Sequence, residues 1–162
     1  MESIRKILGK LNEHGVDFVV IGGVAAILHG SARNTLDVDV CAPLSEPNLS
    51  KILEALKGSH PRWRTRPDKP PLADDPNLLT GFKNLYLHTD LGMLDILSEI
   101  TGIGGFEQAI THAVVLDVGG FKCRVLDLDT LIAAKHAVAR SKDREAITEL
   151  ELIREALRKR DE

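Results

Sequence analysis

Cysteine is scarce in this sequence. The chain has two cysteines among 162 residues, Cys41 and Cys123, and each lies inside an apolar, strand-like segment. So few thiols exclude a small secreted scaffold held together by several disulfides, and the wide spacing does not suit a structural zinc site. We therefore expect both cysteines to be reduced thiols in the core.

Long apolar runs are also missing. No stretch approaches the roughly 20 apolar residues that a transmembrane helix needs. Residues 1–10 mix charged and apolar side chains, whereas a secretory signal has an uninterrupted apolar segment followed by small residues. We therefore expect a cytoplasmic protein with no membrane partner. The length predicts one domain, residues 1–162.

No charge of one sign dominates, because the formal net charge is only -3. Nucleic-acid binding would therefore depend on a local patch rather than on a global field. Residues 59–77 form such a patch, with Arg62, Trp63, Arg64 and Arg66 among five prolines, and we expect a long loop there. Basic side chains beside an aromatic ring are typical of contacts with single-stranded nucleic acid.

Hydrophobic periodicity predicts alternating helices and strands, and hence an α/β (α+β) fold. The segments with helical spacing are residues 3–14, 24–29, 46–56, 127–140 and 142–159. The segments typical of strands are residues 17–21, 36–41, 83–88, 91–98, 113–118 and 121–126. Short polar or glycine links make hairpins of the last four strands. In the strand at residues 36–41, Leu36, Val38 and Val40 should share one face.

That same strand carries two aspartates, Asp37 and Asp39. Side chains two residues apart on a strand point the same way, with Cα atoms about 7 Å apart. Such neighbours repel each other unless a divalent cation lies between them. Magnesium prefers oxygen ligands and is commonly held by one or two carboxylates together with substrate phosphates. The pair therefore indicates a site for magnesium and a nucleotide.

The surroundings of the pair matter more than its spacing, because Asp127 and Asp129 repeat that spacing. The second pair precedes a predicted helix, where capping and the helix dipole explain it. The first pair instead follows Gly22 and Gly23, which end a strand and begin a helix. Bare backbone amides at such a turn can approach phosphate oxygens.

These stretches, residues 21–23 and 30–40, resemble the polymerase-β-type nucleotidyltransferase superfamily. Its usual signature is a Gly-Gly or Gly-Ser turn, a helix, an acidic pair on the next strand and a third carboxylate on a later strand. Asp95 matches the third carboxylate. Within the superfamily the chain resembles small bacterial proteins of the abortive-infection and toxin–antitoxin type. Their C-terminal helix carries a lysine and then an Arg-x-Lys-Asp stretch, which residues 131–135 and 140–143 match.

The resemblance implies a nucleotidyltransferase fold. Such a fold has a mixed, mainly antiparallel twisted sheet, helices mostly on one face, and a C-terminal helix pair, residues 127–159, within the same domain. It also implies transfer of a nucleotide monophosphate from a nucleoside triphosphate such as ATP to an acceptor hydroxyl, with release of pyrophosphate. Two Mg²⁺ ions, or Mn²⁺ in their place, would assist the reaction.

The resemblance assigns roles to three groups of residues. The catalytic and metal-binding residues are Asp37, Asp39 and Asp95. The nucleotide-binding residues are Gly22, Gly23, Arg33 and Lys135. Secondary site residues are Ser31, Thr35, Arg140 and Asp143. The residue types leave alternatives open: Arg33 serves equally well as an anchor of its loop to an acidic neighbour, and Arg140, Lys142 and Asp143 as an ion-pair cluster.

Several acceptors fit this resemblance: a transfer RNA 3′ end, a partner protein such as a cognate toxin or antitoxin, or a small molecule such as an aminoglycoside. The basic segment at residues 59–77 slightly favours RNA. An antitoxin that modifies its toxin is the main rival. A catalytically weak nucleotide-binding module is a further alternative, and the presence of all three carboxylates argues against it.

Overall fold

A computed structural model describes residues 1–138 and 143–162. Its α-helices, as far as those ranges extend, are α1 (Glu2–Glu13), α2 (Gly22–Leu28), α3 (Glu46–Leu56), α4 (Phe106–Thr111), α5 (Leu128–Val138) and α6 (Arg144–Arg160), with a 3-10 helix at Pro76–Leu78. The strands are β1 (Val19–Ile21), β2 (Asp37–Cys41), β3 (Arg62–Trp63), β4 (Asn84–Thr89), β5 (Gly92–Leu97), β6 (Glu99–Ile100), β7 (Gly104–Gly105), β8 (Ala113–Asp117) and β9 (Lys122–Leu126).

Seven of the strands form one mixed sheet in the order β3-β4-β5-β2-β1-β9-β8. Only the pairs β2–β5 and β1–β9 are parallel, and the other neighbours are antiparallel. Strands β6 and β7 pair separately. At the C-terminal end, α5 packs against α6. The predicted mixed, mainly antiparallel sheet with a C-terminal helix pair is confirmed.

The burial of the valines of β2 determines the direction in which its aspartates point. Val38 and Val40 are 1% exposed, among the buried side chains of β4 and β5. Burying one such side chain stabilises the fold by about 1.5–3 kcal/mol, so the register of β2 is strongly constrained. Since successive side chains alternate, Asp37 and Asp39 must lie on the opposite face.

Three predictions about local structure need correction. Leu36 precedes β2 and is 82% exposed, so it does not share the buried face of Val38 and Val40. Residues 59–77 are not all loop, because Arg62–Trp63 form an edge strand on β4, and Trp63 is buried against Phe82. Periodicity also missed α4, β6 and β7, which are too short for it to detect.

The expectation that both cysteines are thiols in the core is confirmed. Cys41 and Cys123 are both free and buried, and burial raises the pKa of each thiol to about 11. Over the ranges that the structure describes, we find no helix with the length and apolar character to cross a bilayer.

Candidate active site

One line of side chains runs across four neighbouring strands of the sheet. The strand register places Asp39 of β2 beside Asp95 of β5, and Asp95 beside Tyr86 of β4. Arg64, which directly follows β3, continues the line, because its backbone N–H donates to the carbonyl of Tyr86 at 2.9 Å. Paired residues on adjacent strands lie on the same face. The row therefore collects two carboxylates, a phenol and a guanidinium on one side of the sheet.

Asp39 is the carboxylate that its surroundings disfavour most strongly in the ionised form. Burial, and then the negative charges of Asp95 and Asp37, raise the pKa of Asp39 to about 7. Arg64 and Lys135 act in the opposite direction without cancelling this rise. Burial also raises the pKa of Asp95, although its hydrogen bond to Arg64 lowers it. Three carboxylates with this excess of negative charge suit a divalent cation, which would lower the cost of keeping them ionised.

The glycine turn sits directly against Asp39. Gly22 begins α2 with φ +66, a left-handed conformation that favours glycine, and a Cβ there would collide with Oδ2 of Asp39. At Gly23, a Cβ would lie 3.0 Å from Oγ1 of Thr35. The turn can therefore approach the Asp39 carboxylate closely because Gly22 lacks a side chain, while the missing side chain of Gly23 leaves room for Thr35. The contact of these glycines with a nucleotide stays a prediction.

Lys135 links two cavities beside the row. A cavity of about 340 Å³ is lined by Gly22, Asp39, Asp95 and Lys135 among others. A smaller one of about 120 Å³, on the side of Gly23 and Thr35, is also lined by Lys135. The predicted lysine therefore faces the carboxylates, in agreement with its effect on the pKa of Asp39. Its contact with phosphate remains untested.

A larger cavity, of about 640 Å³, lies elsewhere, between α3 and the segment around residues 60–74. Lys57, His60, Arg62 and Lys69 line it together with Glu54 and Asp74. None of the three site aspartates reaches it. We take the cavity of about 340 Å³ as the candidate active site, because Asp39 and Asp95 both line it and perturbed acidic groups are typical of such sites.

Ser31 and Arg33 turn towards α6 instead. The Ser31 hydroxyl donates to Oε1 of Glu149 at 2.6 Å. Arg33 places Nε 3.6 Å from the same oxygen and Nη2 3.5 Å from Oε2 of Glu145. These contacts favour the interpretation of Arg33 as an anchor of its loop. Its nucleotide-binding role stays a prediction.

The other secondary residues lie in different places. Thr35 adjoins Asp37: its Oγ1 donates to the Asp37 carbonyl at 3.3 Å and accepts from the Asp37 N–H at 3.4 Å. Asp143 immediately precedes α6 and is not among the described residues that line either cavity. Arg140, and with it Lys142, falls outside the described residues.

The second aspartate pair is structural. Oδ1 of Asp127 accepts from the Thr130 N–H at 2.8 Å and so caps α5. Asp129 pairs with Arg154 of α6 at 3.1 Å. This confirms that the spacing of an Asp-x-Asp pair does not by itself indicate a metal site.

The sequence analysis placed Arg64 in a basic loop, whereas the structure places it in the candidate active site. Its Nη2 lies 2.6 Å from both carboxylate oxygens of Asp95. Within residues 1–138 and 143–162, no three acidic, histidine or cysteine side chains already stand together as a metal-binding group. Arg64 engages both oxygens of the third carboxylate. The available signal was alternation: with Trp63 buried, Arg64 must point to the opposite face.

Comparison with known proteins adds one finding. Residues 1–51 match the model of a family described as nucleotidyl transferase of unknown function (DUF2204). The matched segment, 51 of the 162 residues, contains Gly22, Gly23, Asp37 and Asp39 and ends before Asp95. No match was found among curated proteins. The chain is thus similar to a nucleotidyltransferase family over the segment that carries the acidic pair, which supports nucleotidyl transfer as the general activity.

Proposed function

We propose that this chain is a nucleotidyltransferase that moves a nucleotide monophosphate from a nucleoside triphosphate to an acceptor hydroxyl and releases pyrophosphate. One observation carries the proposal: Asp39 and Asp95, 56 positions apart in the chain, are register partners on parallel strands. The missing side chain of Gly22 leaves room for the Asp39 carboxylate against the turn. The family match at residues 1–51 supports the same activity independently of this geometry.

Asp37, Asp39 and Asp95 are the residues that hold Mg²⁺ in this proposal. Burial and the two neighbouring carboxylates raise the pKa of Asp39, and a cation there would lower the cost of keeping it ionised. When bound, magnesium withdraws charge from phosphate oxygens and makes an acceptor hydroxyl more acidic. Mn²⁺, with similar oxygen ligands, is the expected substitute.

The chain's own groups then have distinct tasks. As the acceptor oxygen bonds to the α-phosphorus, Asp95 accepts the proton that the hydroxyl loses. The bond from the α-phosphorus to the bridging oxygen breaks, and pyrophosphate leaves with that electron pair. Lys135 and the amides of Gly22 and Gly23 bind the triphosphate and hold it in line for this attack.

We propose an RNA 3′ end as the acceptor and a toxin-like role, with a cognate antitoxin as partner. A partner protein's hydroxyl, modified by an antitoxin-type enzyme, is the rival, and a small-molecule hydroxyl is a further one. ATP is the triphosphate to try first, followed by the other three.

The test is label transfer from α-³²P nucleoside triphosphates into total RNA or total protein, with Mg²⁺ or with EDTA. We expect Asp39→Asn to abolish incorporation, because it removes the proposed cation ligand next to Asp95. Asp129→Asn is the matched control, since that aspartate repeats the spacing but pairs with α6. Equal incorporation by the two variants would overturn the assignment. Magnesium-dependent triphosphate binding without any incorporation would instead favour a catalytically weak binding module.

A further inference from the structure

The proposed function leaves one contact unexplained, the pair of hydrogen bonds that Arg64 donates to Asp95. Its Nη2 lies 2.6 Å from both oxygens of the carboxylate that must serve the acceptor hydroxyl. We propose that Arg64 is the acceptor-binding residue, which exchanges Asp95 for a phosphate of a single-stranded nucleic acid next to the reacting 3′ hydroxyl. This inference rests on the proposed function and names the class of acceptor.

The order of strands separates the two substrates. In the sequence β3-β4-β5-β2-β1, the glycine turn lies on the β1 side of Asp39, whereas Arg64 and Tyr86 lie beyond Asp95 on the other side. Lys135 belongs to the triphosphate side, because it also lines the cavity of Gly23. An acceptor that reaches Asp95 while the triphosphate is in place must therefore approach over β4 and β3.

The groups on that side suit a nucleic acid. The guanidinium of Arg64 is permanently charged and matches phosphate oxygens in geometry. Tyr86 is half-buried, holds Arg64 over its ring at 5.8 Å, and accepts a hydrogen bond from Nδ2 of Asn84 at 3.1 Å. A phenol ring fixed beside a phosphate-binding arginine is a surface on which a terminal base can stack. A protein hydroxyl would bring no phosphate for Arg64.

The present contact of Arg64 is incomplete, which favours exchange. One terminal nitrogen serves both oxygens of Asp95, while the buried Nε has no hydrogen-bond partner in the part of the chain that the structure describes. A buried donor without an acceptor is unfavourable, and a phosphate has oxygens to offer it. When Arg64 moves to the phosphate, Asp95 becomes free for the cation and the acceptor proton. Binding of the acceptor thereby frees the carboxylate that the transfer reaction needs.

The direct test is fluorescence anisotropy with a 5′-fluorescein single-stranded oligoribonucleotide that has a free 3′ hydroxyl, in Mg²⁺ without triphosphate. A second probe carries an uncharged methylphosphonate as its last linkage. We expect wild type to bind the uncharged probe about 10- to 100-fold more weakly, the ratio expected for one charge-assisted contact. Arg64→Ala should bind both probes within about threefold of each other, because the phosphate's partner is gone.

Arg62→Ala is the matched control. Arg62 is an exposed arginine two residues earlier and lines the larger cavity, so its loss should preserve the wild-type preference for the charged probe. Arg64→Lys keeps the charge without the planar fork and should show a reduced preference. Equal discrimination by wild type and Arg64→Ala would overturn the proposal, and so would label transfer to protein alone by a wild type that does not bind the oligoribonucleotide.

Magnesium binding gives a readout that needs neither acceptor nor turnover. Since Arg64 competes with the cation for Asp95, Arg64→Ala should reach half of its Mg²⁺-induced thermal stabilisation at a lower Mg²⁺ concentration than wild type or Arg62→Ala. An unchanged concentration would contradict the competition. If Asp39→Asn and wild type responded alike to Mg²⁺ and neither transferred label, the proposed function itself would fail, an outcome distinct from failure of Arg64 alone.

Discussion

Asp39→Asn should stabilise the fold when no divalent cation is present. Burial and two neighbouring carboxylates raise the pKa of Asp39 from its usual 3.8 to about 7. One pKa unit corresponds to 1.36 kcal/mol, so at pH 8 the ionised side chain lowers the free energy of unfolding by about 4 kcal/mol. Asparagine has nearly the same shape and carries no charge. We therefore expect the variant to gain up to about 4 kcal/mol at pH 8 in EDTA.

The pH dependence has a definite sign. Between pH 3.8 and about 7 the Asp39 side chain is mostly protonated in the folded protein and mostly ionised in the unfolded chain. Its contribution to the free energy of unfolding is therefore complete below pH 3.8 and is lost as pH rises to about 7. Wild type should lose stability relative to Asp39→Asn across this window, and the difference should level off above it.

The assay is urea unfolding followed by tryptophan fluorescence. Trp63 is the chain's single tryptophan and is 6% exposed, packed against Phe82, so unfolding should change its emission. With saturating Mg²⁺ at pH 8 the stability difference between the two proteins should shrink or change sign, because only wild type keeps all three proposed cation ligands. If wild type and Asp39→Asn had equal free energies of unfolding in EDTA at both pH 5 and pH 8, the reasoning would be refuted.

Three further predictions concern other parts of the chain. Lys135→Ala should mainly raise KM for the triphosphate in steady-state assays, because it removes the proposed phosphate contact. Gly22→Ala should lower the free energy of unfolding by more than the about 1–2 kcal/mol that a left-handed alanine costs, since its Cβ also meets a carboxylate. Gly15→Ala, at φ +68 in open space, should show that conformational cost alone. Cys41 and Cys123, each with a pKa of about 11, should react with a thiol reagent at pH 8 about 100-fold more slowly than in unfolded protein.

Each of these has a clear contrary result. Unaltered KM and turnover in Lys135→Ala would indicate that this lysine is a solvated helix residue without a phosphate contact. Equal destabilisation by the two glycine variants in thermal or urea unfolding would contradict the close approach of α2 to β2. If the cysteines of the native protein reacted with the reagent as fast as those of unfolded protein, their burial would be contradicted. Raising the pH towards 11 should accelerate the reaction of the native protein.

Local patterns in the sequence predict the scaffold well, because they arise from nearest neighbours along the chain. Alternation in residues 36–41 predicts that Asp37 and Asp39 share a face, and the burial of Val38 and Val40 enforces it. The link at residues 89–90 predicts the β4–β5 hairpin that carries Asp95. The capping role of Asp127 follows from its place before a helical pattern.

Contacts between distant segments could not be predicted in this way. The partner of Arg64 depends on a two-residue strand that is defined only by its pairing with β4, so periodicity has nothing to detect. The partner of Arg33, Glu149, lies 116 positions away in the chain. The resemblance to a family indicates Asp95 as the third carboxylate, whereas its alignment with Asp39 could not be predicted, since strand order does not follow from local patterns.

The measurement that tests the central claim most directly compares triphosphates labelled with ³²P at the α or the γ position, incubated with wild type, Mg²⁺ and RNA. A nucleotidyltransferase places the α label in the acceptor and the γ label in pyrophosphate, and Asp39→Asn should do neither. Label from the γ position in the acceptor, or α-label transfer that persists in Asp39→Asn, would contradict the account.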